Sequence, residues 1–445
     1  MRVLLISTYE LGRQPFGLAS PAAWLREAGH EVQCVDVALS PLDADLVRRA
    51  DLVGFYLPMH TATRLAGVLI PRVREFNPAA HVCAFGLYAS VSEPYLRELG
   101  ARTIIGGEFE AALVRLAGAL EGGAGEPADC SGTVLDRLQF RVPDRTGLPN
   151  LDRYSKLHVN GATVVVGYTE ASRGCKHLCR HCPVVPVYKG AFRVVQPEIV
   201  LEDIRRQAAA GAGHITFGDP DFLNGPAHTR RIVEALHREF PRLTYDATIK
   251  VEHLRKRPEM LPVLKETGCL FVTSAVESLD DRVLRLLDKG HTRADFEQVT
   301  ESMQSAGLVL NPTFIAFTPW TTRDSYAAML GALAELNLVD SIGPIQLALR
   351  LLIPLGSRLL ELDDVRAVAG AFEPRSLAYP WRHRDPEVDA LSRRALHAVW
   401  SGQKAGRSRR QIFAEMWQLA NERPPENFDL VPRAAVPYLD EPWYC

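Results

Sequence analysis

Residues 171–188 read ASRGCKHLCRHCPVVPVY, and three cysteines in this stretch, Cys175, Cys179 and Cys182, are separated by three and then two residues. Thiolates this close in sequence can wrap one loop around a face of a cubane cluster, each ligating a different iron. Three protein ligands leave the fourth iron of a [4Fe–4S] cluster open, and an open iron can be chelated by a small molecule that then takes an electron. The competing reading is a structural zinc site with His177 or His181 as fourth ligand. Both histidines lie inside the cysteine loop, whereas zinc sites usually combine two separated ligand pairs.

Working outward, the loop follows a strand-like run, TVVVGYT (163–169), and strand and helix patterns then alternate to about residue 355. The further strand candidates are HITFG (214–218), LTYDATI (243–249), LFVTSAV (270–276), VLNPTFIAF (309–317) and SIGPIQLAL (341–349). That makes about six βα units, fewer than the eight of a closed barrel, so the spacing predicts a partial, open-sided barrel.

Residues 1–120 have a related rhythm, with MRVLLIS, EVQCVDV, DLVGFYL, AHVCAFG and RTIIGG separated by amphipathic stretches. Parallel sheets covered on both faces have continuously apolar strands, and these runs predict a doubly wound α/β domain. Ligands on such sheets bind beyond the carboxyl ends of the strands, here the loops after Ser7, Leu57, Gly86 and Ile105. Between about 121 and 160 glycine, proline and charge accumulate without periodicity, as in a linker. From about 356 the chain turns helical and charged. The expected domains are therefore 1–122, a linker 123–162, a barrel 163–355 and a helical extension 356–445.

The 445 residues are enough for roughly two or three folded units. A hydrophobic share of 47% and a charged share of 23% suit an ordinary globular protein. With 51 basic and 53 acidic residues no overall field attracts a polyanion, so neither nucleic acid nor membrane is expected as a partner. No apolar run approaches the roughly 20 residues of a membrane helix, and the opening segment does not read as a secretory signal. The expected location is the cytoplasm. Cys34, Cys83 and Cys269 sit in apolar strand-like runs and are expected to be packing residues.

A C-x3-C-x2-C loop after the first strand of a partial barrel resembles the radical S-adenosylmethionine (SAM) superfamily. The resemblance implies that the open iron binds the amino and carboxylate groups of SAM. Reductive cleavage then yields a 5′-deoxyadenosyl radical, with the electron delivered by a flavodoxin- or ferredoxin-type reductant. It places His181, just before the last cysteine, against the adenine. At the second-strand position it makes Asp219 and Asp221 acceptors for the SAM ammonium. The plainer alternative for Asp219 is a turn residue before Pro220. Glu277, at the end of the fourth strand, matches a position that hydrogen-bonds the SAM ribose, or else is a carboxylate at a helix entry. Lys250 and Glu252 face the same mouth without an assigned role.

The first domain resembles the cobalamin-binding domain that precedes the barrel in a large subgroup of this superfamily, which implies a cobalamin-dependent methyltransferase acting on an unactivated carbon of a small-molecule or peptide substrate. The cobalt-ligating D-x-H-x-x-G loop of that subgroup is replaced by YELGRQPFG, which lacks histidine. Gly106 and Gly107 are candidates for close backbone approach to cobalamin, or are simply a turn. His60 is a lone further candidate that also reads as structural. The whole chain is most similar to radical SAM proteins that end in a CUAEP or CCAEP tail. It halts at PWYC, and the expectation is that Cys445 precedes an in-frame selenocysteine codon. Three alternatives stay open: transfer of a 3-amino-3-carboxypropyl group, for instance to a metalloid; tRNA methylthiolation, disfavoured by the scatter of Cys34, Cys83 and Cys130; and a non-enzymatic cobalamin or iron–sulfur sensor.

Overall fold

The chain is described here from a computed structural model covering residues 1–125, 127, 130–422 and 436–441. Cys445, and with it the expectation about the tail, lies outside them. Strands β1 (Arg2–Ser7), β2 (Glu31–Asp36), β3 (Leu52–Tyr56), β4 (His81–Phe85), β5 (Thr103–Gly107) and β6 (Gly132–Val134) form one sheet in the order β2-β1-β3-β4-β5-β6, parallel throughout. Every residue of β3, β4 and β5 is buried. Helices Phe16–Glu27 and Glu110–Glu121 cover one face, packing Leu25 and Leu116 on Leu5 and Phe85. Helix His60–Phe76 covers the other, packing Ile70 and Val73 on Phe55 and Val82. Burial on both sides is the physical reason these strands read as unbroken apolar runs.

The remaining strands are β7 (Lys156–Val159), β8 (Ala162–Thr169), β9 (Ser172–Gly174), β10 (Phe192–Val194), β11 (His214–Phe217), β12 (Thr244–Thr248), β13 (Cys269–Glu277), β14 (Val309–Phe314) and β15 (Tyr438–Leu439). Apart from the β9–β10 ribbon they form a second sheet in the order β14-β13-β12-β11-β8-β7-β15. Strands β8 and β11 to β14 run parallel as the curved barrel wall, and β7 and β15 add two antiparallel strands at its edge. The stretch expected to be a plain linker thus contributes β6 to the first sheet and β7 to the second.

Five of the six expected barrel strands form, and the sixth is corrected. SIGPIQLAL becomes a 3-10 turn over Pro344–Leu347, followed by a single bridge between Phe317 and Arg350. Pro344 has no N–H for a ladder. The Gln346 side chain instead accepts the backbone N–H of Phe314 at 3.1 Å, so a side chain satisfies the β14 edge where a strand was expected. Helices Pro386–Lys404 and Arg409–Asn421 bury Leu391, Val399, Phe413 and Met416 in the same core as Leu310 and Phe314, covering the barrel on its β14 side. Cys34, Cys83 and Cys269 are buried, as expected of packing residues. Among the described residues no helix is long and apolar enough to cross a membrane.

The two sheets meet at a buried ionic cluster. Arg173 of β9 forks onto Glu110 at 2.7 and 2.9 Å, and also reaches Glu170 at 2.7 Å and Glu108 at 3.2 Å. Glu108 accepts the Tyr188 hydroxyl at 3.0 Å as well. One guanidinium therefore faces three carboxylates in a dry place. Burial pushes the Glu108 carboxyl up to about 7 against the pull of Arg173, with Glu110 adding to the rise. Because that value lies above the ordinary 4.5 of a free glutamate, the folded state holds the proton more tightly than the unfolded chain. This contribution to stability is complete below pH 4.5 and is lost as pH rises through about 7. Glu108→Gln is expected to remove on the order of 3 kcal/mol from the fall in stability over that window, read by denaturant titration at a series of pH values.

Candidate active site

The strand β8 delivers the chain to the barrel mouth, β9 turns it back, and Cys175, Cys179 and Cys182 follow before helix Val184–Tyr188. The loop is fixed from outside by polar contacts. The Arg180 N–H donates to the Leu287 carbonyl at 2.9 Å, Arg358 donates to the Leu178 carbonyl at 2.7 Å, and the Lys176 N–H donates to Asn224 at 3.2 Å. Inside, the Cys182 N–H bonds the Cys179 carbonyl at 3.2 Å. All three thiols are free, with Cys179 buried and the other two half-buried. Burial pushes the Cys182 thiol up to about 12, and the fields of Cys179 and Cys175 add to the rise, so the three sulfurs share one environment.

This donor set fits an iron–sulfur cluster better than a single ion. Ligand sulfurs of one tetrahedral zinc sit about 3.8 Å apart, given Zn–S bonds of about 2.3 Å. Among the described residues the only group of three donors gathered at such spacing is His177, Asp221 and His253, not the cysteines. Three thiols drawn from one loop without that close convergence suit separate irons of a cubane.

His181 and Glu277 are brought together, with His181 Nε2 3.1 Å from Glu277 Oε1. Lys289, which the sequence did not single out, reaches the same oxygen at 3.5 Å. Against burial, which would raise it, Lys289 and His181 hold the Glu277 carboxyl at about 2. Glu277 has φ +71°, and the β13–β14 register shifts between Ala275 and Glu277, so a bulge re-aims this carboxylate at the end of its strand.

The other candidates divide. Asp219 accepts the Ala171 N–H at 2.9 Å with one oxygen and the Ser172 hydroxyl with the other, so it ties β11 to the start of the cysteine loop. Burial raises its carboxyl to about 7 despite these bonds. Asp221 turns instead toward His177 and His253. Lys250 and Glu252 pair with each other at 3.1 Å. A Cβ on Gly106 would meet the Ser90 side chain and one on Gly107 would strike the Val134 carbonyl, while Gly107 also lines the crevice beside Glu10, Tyr56 and Tyr188. His60 contacts the Ser376 carbonyl at 2.6 Å.

Residues 169–328 match the model of the radical SAM superfamily, so this part of the chain is a radical SAM domain, which implies a [4Fe–4S] cluster and SAM. Two curated relatives carry the likeness further. The hopanoid C-3 methylase of Methylococcus capsulatus is 25% identical over 71% of this chain and 64% of its own length. The bacteriochlorophyllide d C-12(1)-methyltransferase of Chlorobaculum tepidum is 26% identical over 33% of this chain and 32% of its own. The chain thus spans less than two thirds of either relative. Among solved structures, the radical SAM methyltransferase TsrM of Kitasatospora setae superposes with a TM-score of 0.62 at 20% identity, covering 75% of this chain and 71% of that one. The cobalamin-dependent SAM radical enzyme OxsB superposes at 0.69 and 14% identity, covering 93% and 71%. At these identities the structural likeness establishes the shared fold.

Proposed function

We propose that the chain is a radical SAM enzyme that reductively cleaves SAM at a cluster on Cys175, Cys179 and Cys182 and transfers a methyl group to an unactivated carbon. The observation that carries this reading is the meeting of three free thiols with the His181–Glu277–Lys289 group at one barrel mouth, beneath the carboxyl edge of a doubly wound domain. The cluster, when bound, supplies the electron that breaks a carbon–sulfur bond of SAM. Glu277, kept ionised by Lys289 and His181, is suited to accept the ribose hydroxyls, and the His181 ring offers a face to the adenine. Glu277→Gln weakens a hydrogen bond to a charged group and leaves buried Lys289 with less compensation. The expected result is a ten- to hundredfold rise in KM for SAM with a smaller change in kcat, read from nucleoside product formation.

The relatives' methyl-transfer chemistry and the neighbours' cobalamin support methyl transfer through cobalamin. Its place would be the crevice between the carboxyl ends of β1, β3 and β5 and the barrel. That crevice, lined among others by Glu10, Tyr56, Met59, Leu87, Phe109 and Tyr188, holds about 260 Å³, with no histidine among the described residues of its wall. Sites for drug-sized ligands run to roughly 300–1,000 Å³. A corrinoid is larger than those ligands and does not fit the crevice as closed here; the methyl-transfer reading therefore requires it to open. The other outcome of SAM cleavage to be tested is transfer of its 3-amino-3-carboxypropyl group. Anaerobic reconstitution with dithionite and SAM, with corrinoid analysis, separates them. S-adenosylhomocysteine with 5′-deoxyadenosine and a bound corrinoid supports methyl transfer, and 5′-methylthioadenosine supports 3-amino-3-carboxypropyl transfer. Intact SAM overturns both and leaves a sensor.

A further inference from the structure

Beside the cysteine loop, three side chains from three different elements point their donor atoms at one another. His177 comes from the loop itself, Asp221 from the turn after β11, and His253 from helix Val251–Lys256 after β12. One donor atom from each of the three residues lies within 4.8 Å of the other two. Asp221 Oδ2 is 2.7 Å from His253 Nδ1 and 3.5 Å from His177 Nε2. All three atoms are buried, and the polar atoms they face are one another's. Asp221 as a residue is 1% exposed. Two imidazole nitrogens and a carboxylate oxygen buried around one point can satisfy each other only in part, and a shared cation would engage all three lone pairs at once.

The opposite sides of the same groups are held as a metal site requires. His177 Nδ1 faces the Glu252 carboxylate at 3.4 Å, which turns Nε2 inward as an acceptor. Glu252 is itself braced by Lys250 at 3.1 Å and Lys256 at 2.6 Å. Asp221 Oδ1 accepts the Lys250 backbone N–H at 3.3 Å, which leaves Oδ2 for the centre. A carboxylate behind a ligating histidine fixes its tautomer and ring orientation and raises its basicity. Metal–nitrogen and metal–oxygen bonds of about 2.1 Å place tetrahedral ligand atoms about 3.4 Å apart. The His177–Asp221 separation already matches, and His253 has to back off by about 0.7 Å.

We propose that His177, Asp221 and His253 bind one divalent first-row transition-metal ion, with zinc the best fit, at a site separate from the cluster cysteines. Two imidazoles and one carboxylate are the donor set such ions take, and the fourth position is left to water or to a donor atom of the substrate.

The test counts the two metals separately in the full chain. With the cluster reconstituted first, so that the cysteines are occupied, zinc is supplied, loosely held metal is removed on a desalting column, and iron and zinc are measured by mass spectrometry. One zinc per chain is expected beyond the cluster iron. His253→Ala and Asp221→Asn should lose the zinc while keeping the iron and the cluster absorbance. No retained zinc in the parent chain, or zinc retained in both variants, overturns the proposal. Should either substitution also cost the iron, the full chain with all three cluster cysteines changed to alanine decides by cobalt(II) titration. There one saturable equivalent with visible ligand-field bands, weakened at least about tenfold by His253→Ala, supports the site, and no saturable binding overturns it.

Discussion

Cys179→Ala is expected to abolish the cluster absorbance and to lower SAM cleavage at least about a thousandfold, equivalent to about 4 kcal/mol on the barrier, while the protein stays folded. Cys179 is the most buried of the three loop thiols, and the contacts that shape the loop do not use its sulfur. The Cys182 N–H bonds the Cys179 carbonyl, the Arg180 N–H bonds Leu287, and Arg358 bonds the Leu178 carbonyl, so the loop survives loss of the side chain. Removing one sulfur from a half-buried loop costs stability of about 1 kcal/mol, a typical value for a single substitution. Denaturant unfolding and nucleoside product analysis on the same preparation read the two effects apart. A variant that keeps its cluster, or one that loses cluster and fold together, contradicts the assignment of these thiols as ligands.

What the sequence discloses depends on whether a feature is local. Strands β1 to β5 are readable because each is buried on both faces and so must be apolar throughout. The cysteine loop is readable because its three donors fall within eight residues. SIGPIQLAL misleads because Ile345 and Leu347 are buried in the barrel core in a 3-10 turn, and apolar content alone does not separate turn from strand. Strand β6 escapes notice because three half-exposed residues carry no pattern and its partner β5 lies about 25 residues back, whereas β7 has a local signal that the linker reading overlooks, the Asn160-Gly161 turn joining it to β8 as a hairpin. The bulge that turns Glu277 toward His181 and Lys289 leaves no sequence signal, so the resemblance supplied the residue but not its partners. His177 and His253 lie 76 positions apart and only the fold brings them together. The one available hint was the run KVEH after a strand, with Lys250, Glu252 and His253 all polar at the barrel mouth.

Arg173 is the extreme case of a residue that local reading passes over, since it sits two positions before Cys175 and two of its three carboxylate partners lie more than 60 residues back. It is 6% exposed as a residue, and its side chain forks onto Glu110, touches Glu170 and Glu108, and lies over the rings of Phe109 and Phe140 at 5.0 Å. Although burial works against the charged form, Glu110, Glu170 and Glu108 hold the guanidinium ionised. Arg173→Met is expected to destabilise the protein by about 3–5 kcal/mol, because it leaves several buried carboxylates without their cation. Against a total stability of about 5–15 kcal/mol that is a large fraction. Arg173→Lys should recover only part of the loss, since an ammonium cannot reproduce the fork onto Glu110. Adding Glu110→Gln to Arg173→Met should restore some stability by removing one stranded charge, and denaturant titration of the parent, the two single variants Arg173→Met and Glu110→Gln, and the double variant measures the coupling. Arg173 also ties β9, and hence the start of the cysteine loop, to the first residues after β5, so Arg173→Met should raise the rate at which cluster iron is lost to a chelator. A loss below about 1 kcal/mol with unchanged iron release would mean that apolar packing alone docks the doubly wound domain on the barrel, and that the ionic cluster contributes little to holding the loop in place.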